Sequence, residues 1–314
     1  MRLCLLVILL LTGASTALQA ETLKVAISQK NFWDSSFVEF GQREGFFKEA
    51  GLEIEPFYTD GGAATLTTVM SGSVDVGLSN GLLGVVGAYV KGAPVRVISA
   101  QMTGAQELYW YARADSPVRD LKNTDGRTVA FSSPGSSSNL ILLTLLRHTG
   151  SKAKPVATGG APATLTQVMT GQIDIGWSVP PFGLKELEDG KIVIVARASD
   201  VPELKQQTIR VNIAGIEALR TKRDAITRFM LVYAHSIAWA YAGPRSLDHF
   251  AENARVSRAI AQRVRDEFYP QEALQLHEIR GLDLTLKDAL DYKYIPAAKT
   301  AAEIAGLFDI LYKP

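Results

Sequence analysis

The sequence predicts an α/β fold of two similarly built lobes, and three observations carry that prediction. Strand-like and helix-like segments alternate from Leu23 to Ala100, and the alternation starts again beyond Leu108. The stretch "ATLTTVMSGSVDVGLS" at 64–79 returns as "ATLTQVMTGQIDIGWS" at 163–178, identical at ten of sixteen positions. Finally, 47% of the 314 residues are hydrophobic and 21% charged, enough for one large or two medium cores.

In chain order, "LKVAIS" (23–28) has the alternation and β-branching of a strand. After the loop "QKNFWDSS", the stretch "FVEFGQREGFFKEAG" reads as a helix closed by Gly51, and "LEIEPFY" as the next strand. Asp60-Gly61-Gly62 turns the chain into the helix of the first repeat copy. "VDVGLS" then reads as a strand, "GLLGVVGAYVKG" as a helix and "VRVISA" as a strand. Such a rhythm builds a mostly parallel sheet covered on both faces.

Beyond "LYWYARA" (108–114) come the strand "TVAFS", the helix "NLILLTLLRHTG" behind "SPGSSS", and a short strand within "AKPVATGG". The second repeat copy follows, then a break at Pro180-Pro181 and the strand "IVIVARA". "TIRVNIAGIEAL" (208–219) reads as a strand running into a helix, and the chain from Lys222 onward as nearly all helix, including "AAEIAGLFDIL". The two units are joined by segments near 108–114 and 206–214, which are the hinge candidates. Lobe one is expected to hold 21–110 with 210–314, and lobe two 111–209.

Each repeat copy reads as helix, turn and strand. Thr65 and Thr164 suit a helix start. Leu66, Val69 and Met70, like Leu165, Val168 and Met169, lie at i, i+3, i+4 and form an apolar face. Gly72 and Gly171 suit the left-handed position after a helix. The repeat is expected to support the lobes, with ligand contacts at its flanks, because ligands of open α/β sheets bind beyond the strands' carboxyl ends.

The first twenty residues read as a secretory signal: Arg2, the nine-residue apolar run Leu3–Leu11, then small residues ending at Ala17 or Ala20. Cys4, the single cysteine, lies inside it. The mature chain is expected to be free of thiols, exported to the periplasm and soluble, and not a lipoprotein. Its net charge of +1 falls to zero without Arg2, which gives nucleic acid no electrostatic footprint.

The order of "EGFFKEAGLEIE", "GGAATLTTVMSGSVDVGLS", "KGAPVRVISA", "GRTVAFSSPGSSSNLILLTLLR" and "GQIDIGWSVPPF" resembles the solute-binding proteins of bacterial ABC importers. The branch is that of nitrate, taurine and aliphatic sulfonates, which also includes binders of thiamine-precursor pyrimidines. The resemblance implies the type II periplasmic-binding fold: two lobes on two crossover strands, closing on a solute. It implies a monomer without cofactor that captures a small organic anion and delivers it to an ABC permease with its ATPase. A pyrimidine or other neutral heterocycle, or an exported sensor or enzyme on the same fold, is the alternative.

The candidate contacts follow. "SPGSSSN" (133–139) places Gly135, Ser136, Ser137 and Ser138 at a helix start, where free amides and the helix dipole suit an anion; simple N-capping suits them too. In the resembled family this place touches the ligand's anionic group. Phe32 and Trp33 either stack on a ligand body or plug the core. Gly61 flanks the first repeat helix, and Ser79 and Asn80 end its strand. Val179 and Pro180, after Trp177, wall the matching edge of lobe two. Arg210, on the second crossover, pairs with a carboxylate or sulfonate of the ligand or serves as an ordinary exposed or salt-bridged strand residue.

The motifs argue against catalysis. The four histidines are scattered without zinc spacing, "GSSSN" is no G-x-S-x-G, and "GLLGVVG" lies inside a helix, where close packing explains it.

Overall fold

The computed structural model describes residues 20–313. The expected signal peptide therefore lies outside the described residues, apart from Ala20. Ten strands carry the fold: β1 (Glu21–Ser28), β2 (Leu52–Thr59), β3 (Val76–Gly81), β4 (Val95–Thr103), β5 (Tyr109–Arg113), β6 (Thr128–Phe131), β7 (Lys154–Ala157), β8 (Ile175–Ser178), β9 (Ile192–Arg197) and β10 (Thr208–Gly215). They form two five-stranded sheets, ordered β2-β1-β3-β10-β4 and β7-β6-β8-β5-β9. Each has parallel strands at one end. In each, a strand arriving from the other lobe is inserted antiparallel: β10 between β3 and β4, and β5 between β8 and β9.

The segments expected as links near 108–114 and 206–214 are mostly these inserted strands. Pairing on both sides captures them into the sheets, so the chain crosses instead at 104–108 and 198–207, the latter largely two 3-10 turns.

The helices α1 (Phe37–Arg43), α2 (Phe46–Glu49), α3 (Gly62–Met70), α4 (Leu82–Val90), α5 (Ser137–Thr149), α6 (Ala161–Met169) and α7 (Leu184–Glu188) connect strands. After β10 come α8 (Ile216–Ala242), α9 (Arg245–Ala254), α10 (Arg258–Arg263) and α11 (Leu282–Asp291). The first expected helix is two, because Gly45 takes a left-handed φ of 83° between them. The tail "AAEIAGLFDIL" holds only one 3-10 turn, Ala305–Leu307. Beyond it the backbone extends along β4: Asp309 N donates to Val97 O at 2.9 Å and Leu311 N to Ile98 O at 2.9 Å. Covering a sheet edge outweighs the helical propensity of the tail.

The repeat packs alike in both lobes. Thr65 and Val69 of α3, like Thr164 and Val168 of α6, are buried against the sheet. Gly77 and Gly176 lie beneath them, where a Cβ would come within 2.7 Å of Val69 and 2.8 Å of Val168. The expected apolar face is thus rotated: Met70 and Met169 are 40% and 38% exposed. Nor do the threonines cap. The N-caps are Gly61 and Gly160, and the Thr65 and Thr164 hydroxyls donate back to those glycines' carbonyls. Asp75 accepts Lys24 N–H and Asp174 accepts Thr128 N–H, both at 2.9 Å, so the repeated aspartate fixes a neighbouring strand in each sheet.

Candidate ligand-binding cleft

The carboxyl ends of β1, β3, β6 and β8 meet where the two sheets face each other. From the first sheet come Ser28, Gln29, Phe32, Asp34, Gly61, Gly62, Ser79 and Gly81, with Arg210 on β10. From the second come Ser132, Ser136, Ser137, Ser138, Trp177 and Val179, and from a crossing segment Leu108. The free space between them is about 30 Å³, near the size of one or two water molecules.

The cleft is narrow because the lobes touch. Arg210 Nε donates to Ser137 Oγ at 3.1 Å, and Gly84 N to Gly135 O at 3.2 Å. The rings of Phe32 and Phe182 meet edge to face with centroids 5.7 Å apart. On the outer side of α5, Tyr294 Oη donates to Asn139 Oδ1 at 2.5 Å, and Arg147 pairs with Asp288 at 3.0 Å. The glycines of "GLLGVVG" permit the approach: a Cβ on Gly84 would lie 2.7 Å from Gly135 O.

Three ionisable groups form the floor. Arg210 donates through Nη1 to Asp34 Oδ2 at 2.8 Å and through Nη2 to Glu107 Oε1. All three are at most 5% exposed. Burial pushes the Glu107 carboxyl up, and the Arg210 charge pulls against that. Burial also opposes the Arg210 charge, but Glu107 and Asp34 outweigh it and hold the guanidinium above its ordinary value. Ser79 Oγ donates to Asp34 Oδ2 at 3.3 Å, and Gln101 Nε2 to Asp34 O at 3.3 Å. Asp34 Oδ1 and Glu107 Oε2 are buried without a hydrogen-bond partner among the described residues. The Tyr269 hydroxyl lies beside Asp34 and is held protonated by burial and the two carboxylates, without a well-aligned hydrogen bond.

The family model described as NMT1/THI5 like matches residues 35–246. The chain belongs to the NMT1/THI5-like family. No curated protein matches the sequence. Among solved structures it is similar to the alkanesulfonate-binding protein of Xanthomonas axonopodis pv. citri bound to MOPS, at 16% identity and TM-score 0.76, over 92% of this chain and 98% of that one. It is also similar to the periplasmic aliphatic sulphonate-binding protein of Escherichia coli, at 18% and 0.69, over 88% and 94%. The periplasmic nitrate-binding protein of Synechocystis PCC 6803 is similar at 13% and 0.72, over 92% and 86%. These likenesses establish the fold, the two-lobed α/β architecture of periplasmic binding proteins.

In this NMT1/THI5-like chain the expected site residues divide. Phe32, Gly61, Ser79, Ser136, Ser137, Ser138, Val179 and Arg210 line the cleft. Trp33, Asn80, Gly135 and Pro180 do not. Trp33 is fully buried against Phe37, Phe40 and Phe250, and its Nε1–H donates to Tyr241 Oη at 3.0 Å. This loop turns Phe32 to the cleft and Trp33 to the core. Asn80 ties Gly77 O at 2.9 Å and supports the sheet. Gly135 serves the lobe contact through its carbonyl, and Pro180 is buried outside the lining. Ser136 is the N-cap of α5, accepting from Asn139 N at 3.1 Å, and Ser138 accepts from Ser132 N at 2.9 Å. Ser137 alone of the three points its hydroxyl to the other lobe's Arg210.

Asp34 and Glu107 were not among the expected contacts. Asp34 stands inside "NFWD", where an acid between aromatics and serines was a readable signal. Glu107 had none, since "GAQELYW" looks like any exposed acid beside a strand.

Proposed function

We propose that this protein is the solute-binding component of an ABC importer. It captures a small organic solute between its lobes and presents the closed form to a permease with its ATPase. One observation carries the reading: strand ends and the start of α5 from two separate sheets converge on one cleft, and side chains of both lobes meet there. The family membership and the named binding proteins of the same fold support it.

Lobe one comprises 21–103 with 208–314 and lobe two 109–197, a shift of a few residues from the bounds expected from sequence because β5 pairs within the second sheet and β10 within the first. Closure turns about 104–108 and 198–207, and solute binding shifts the population toward the closed form. The protein acts as a monomer in the periplasm after removal of its signal, and makes or breaks no bond. No described helix is long and apolar enough to cross a membrane.

The test is a thermal-shift screen of residues 21–314 against sulfonates, carboxylates, nitrate, pyrimidines and amines, followed by small-angle scattering with each stabilising compound. A compound that both stabilises and compacts the protein is the expected result. Turnover of that compound, or stabilisation without compaction across the screen, overturns the reading.

A further inference from the structure

The charge of the cleft floor points to the chemistry of the solute. Asp34 and Glu107 carry two negative charges against the single positive charge of Arg210. Burial raises the Glu107 pKa. With Glu107 ionised the trio is negative by one, and with Glu107 protonated it is neutral. In neither state is there a free positive charge for an anion.

Arg210 is also committed in direction. Nη1 faces Asp34, Nη2 faces Glu107 and Nε faces Ser137. Glu107 lies outside the cavity lining, behind the guanidinium, and when ionised it neutralises Arg210. Asp34 lines the cavity and keeps a buried, unpartnered Oδ1. A buried carboxylate oxygen without a donor is costly. The Tyr269 hydroxyl beside Asp34 makes no well-aligned bond to it, and a donor or cation in the cavity competes with that hydroxyl for the carboxylate. Phe32 and Trp177 wall the same space, and aromatic faces attract cations. The positive elements of the lining are helix starts, those of α3 at Gly61-Gly62, α4 at Gly81 and α5 at Ser136–Ser138, and they suit a carbonyl, hydroxyl or acidic group at the solute's other end.

We propose that the cleft selects a solute bearing a protonated nitrogen group, an ammonium or an amidinium, held by the Asp34 carboxylate. This rests on the reading of the chain as a solute-binding protein and narrows it to a charge class. Asp34 is the specificity-determining contact, and Glu107 is a positioning residue that acts through Arg210.

Two sets of near-isosteric probes test the charge alone: benzamidinium, benzamide and benzoate, and acetamidinium, acetamide and acetate. Calorimetric titration of the protein is expected to rank amidinium first and carboxylate last in each set, by at least about tenfold. In Asp34→Asn the amidinium advantage is lost. A melt of the variant reports whether it folds, and if it does not, the wild-type order within each set decides. Carboxylate binding as well as amidinium, or none of the six binding at millimolar concentration, overturns the assignment. Compaction on an anionic or neutral solute would sink the charge class and leave the importer reading standing. Absence of compaction with every solute class would sink the importer reading itself.

Discussion

Arg210 on β10 and Ser137 at the start of α5 meet across the cleft, Nε to Oγ, at 3.1 Å. One belongs to a strand inserted into the first sheet, the other to the helix after β6 of the second. The same guanidinium binds two buried carboxylates of its own side. Arg210 thus couples the packing of one lobe to the position of the other.

Removing the far end of that contact should loosen closure and spare the fold. Ser137→Ala deletes one interlobe hydrogen bond, worth about 1 kcal/mol. Small-angle scattering of the solute-free variant should show a larger radius of gyration, with nearly unchanged urea unfolding. An unchanged radius would mean that the other lobe contacts suffice.

Removing the guanidinium is a different matter. Arg210→Met leaves Asp34 and Glu107 buried without their cation, and breaking such a pair costs about 3–5 kcal/mol. Urea unfolding should show the loss. The triple variant Asp34→Asn/Glu107→Gln/Arg210→Met should recover most of it, and no recovery would show that charge is not the cause.

Gly84→Ala separates lobe stability from closure. Within α4, alanine is favoured over glycine by up to about 1 kcal/mol. Across the cleft its Cβ would lie 2.7 Å from Gly135 O. The variant should melt no lower than the parent, stay open by scattering and bind any stabilising solute more weakly.

Trp33→Phe tests whether the indole serves the core or the solute. It deletes the hydrogen bond to Tyr241 and part of an aromatic cluster. A loss of about 1–3 kcal/mol in unfolding free energy is expected, with solute affinity unchanged. Phe32→Ala should do the reverse, weakening binding more than folding.

Acid should act through Asp174. Burial alone would raise its pKa, but hydrogen bonds from Thr128 and the Arg127 pair outweigh it and leave the carboxyl below its ordinary value. A group depressed in the folded state contributes stability that is complete above the unfolded pKa of about 4 and is lost as pH falls toward the folded value. Urea midpoints between pH 7 and 3 should fall more steeply for the parent than for Asp174→Asn. Parallel curves would remove Asp174 from the acid response.

The alternation of strands and helices and the duplicated stretch at 64–79 and 163–178 determined the two-lobed α/β class, because both follow from local periodicity. The flanks of the repeat pointed to the cleft through Gly61, Ser79 and Val179, and the separate helix start "SPGSSSN" through Ser136, Ser137 and Ser138, all of which line it. Tertiary structure decided the rest. Whether Phe32 or Trp33 faced the cleft depended on the turn of one loop. Whether 301–311 coiled depended on an unpaired edge at β4. The partners of Arg210, one 176 and the other 103 residues away in sequence, had no local signature. Periodicity reports which face of an element is apolar. Only the packed chain brings Asp34, Glu107 and Arg210 out of water together, and burial without water makes their balance of charge decide what the cleft accepts.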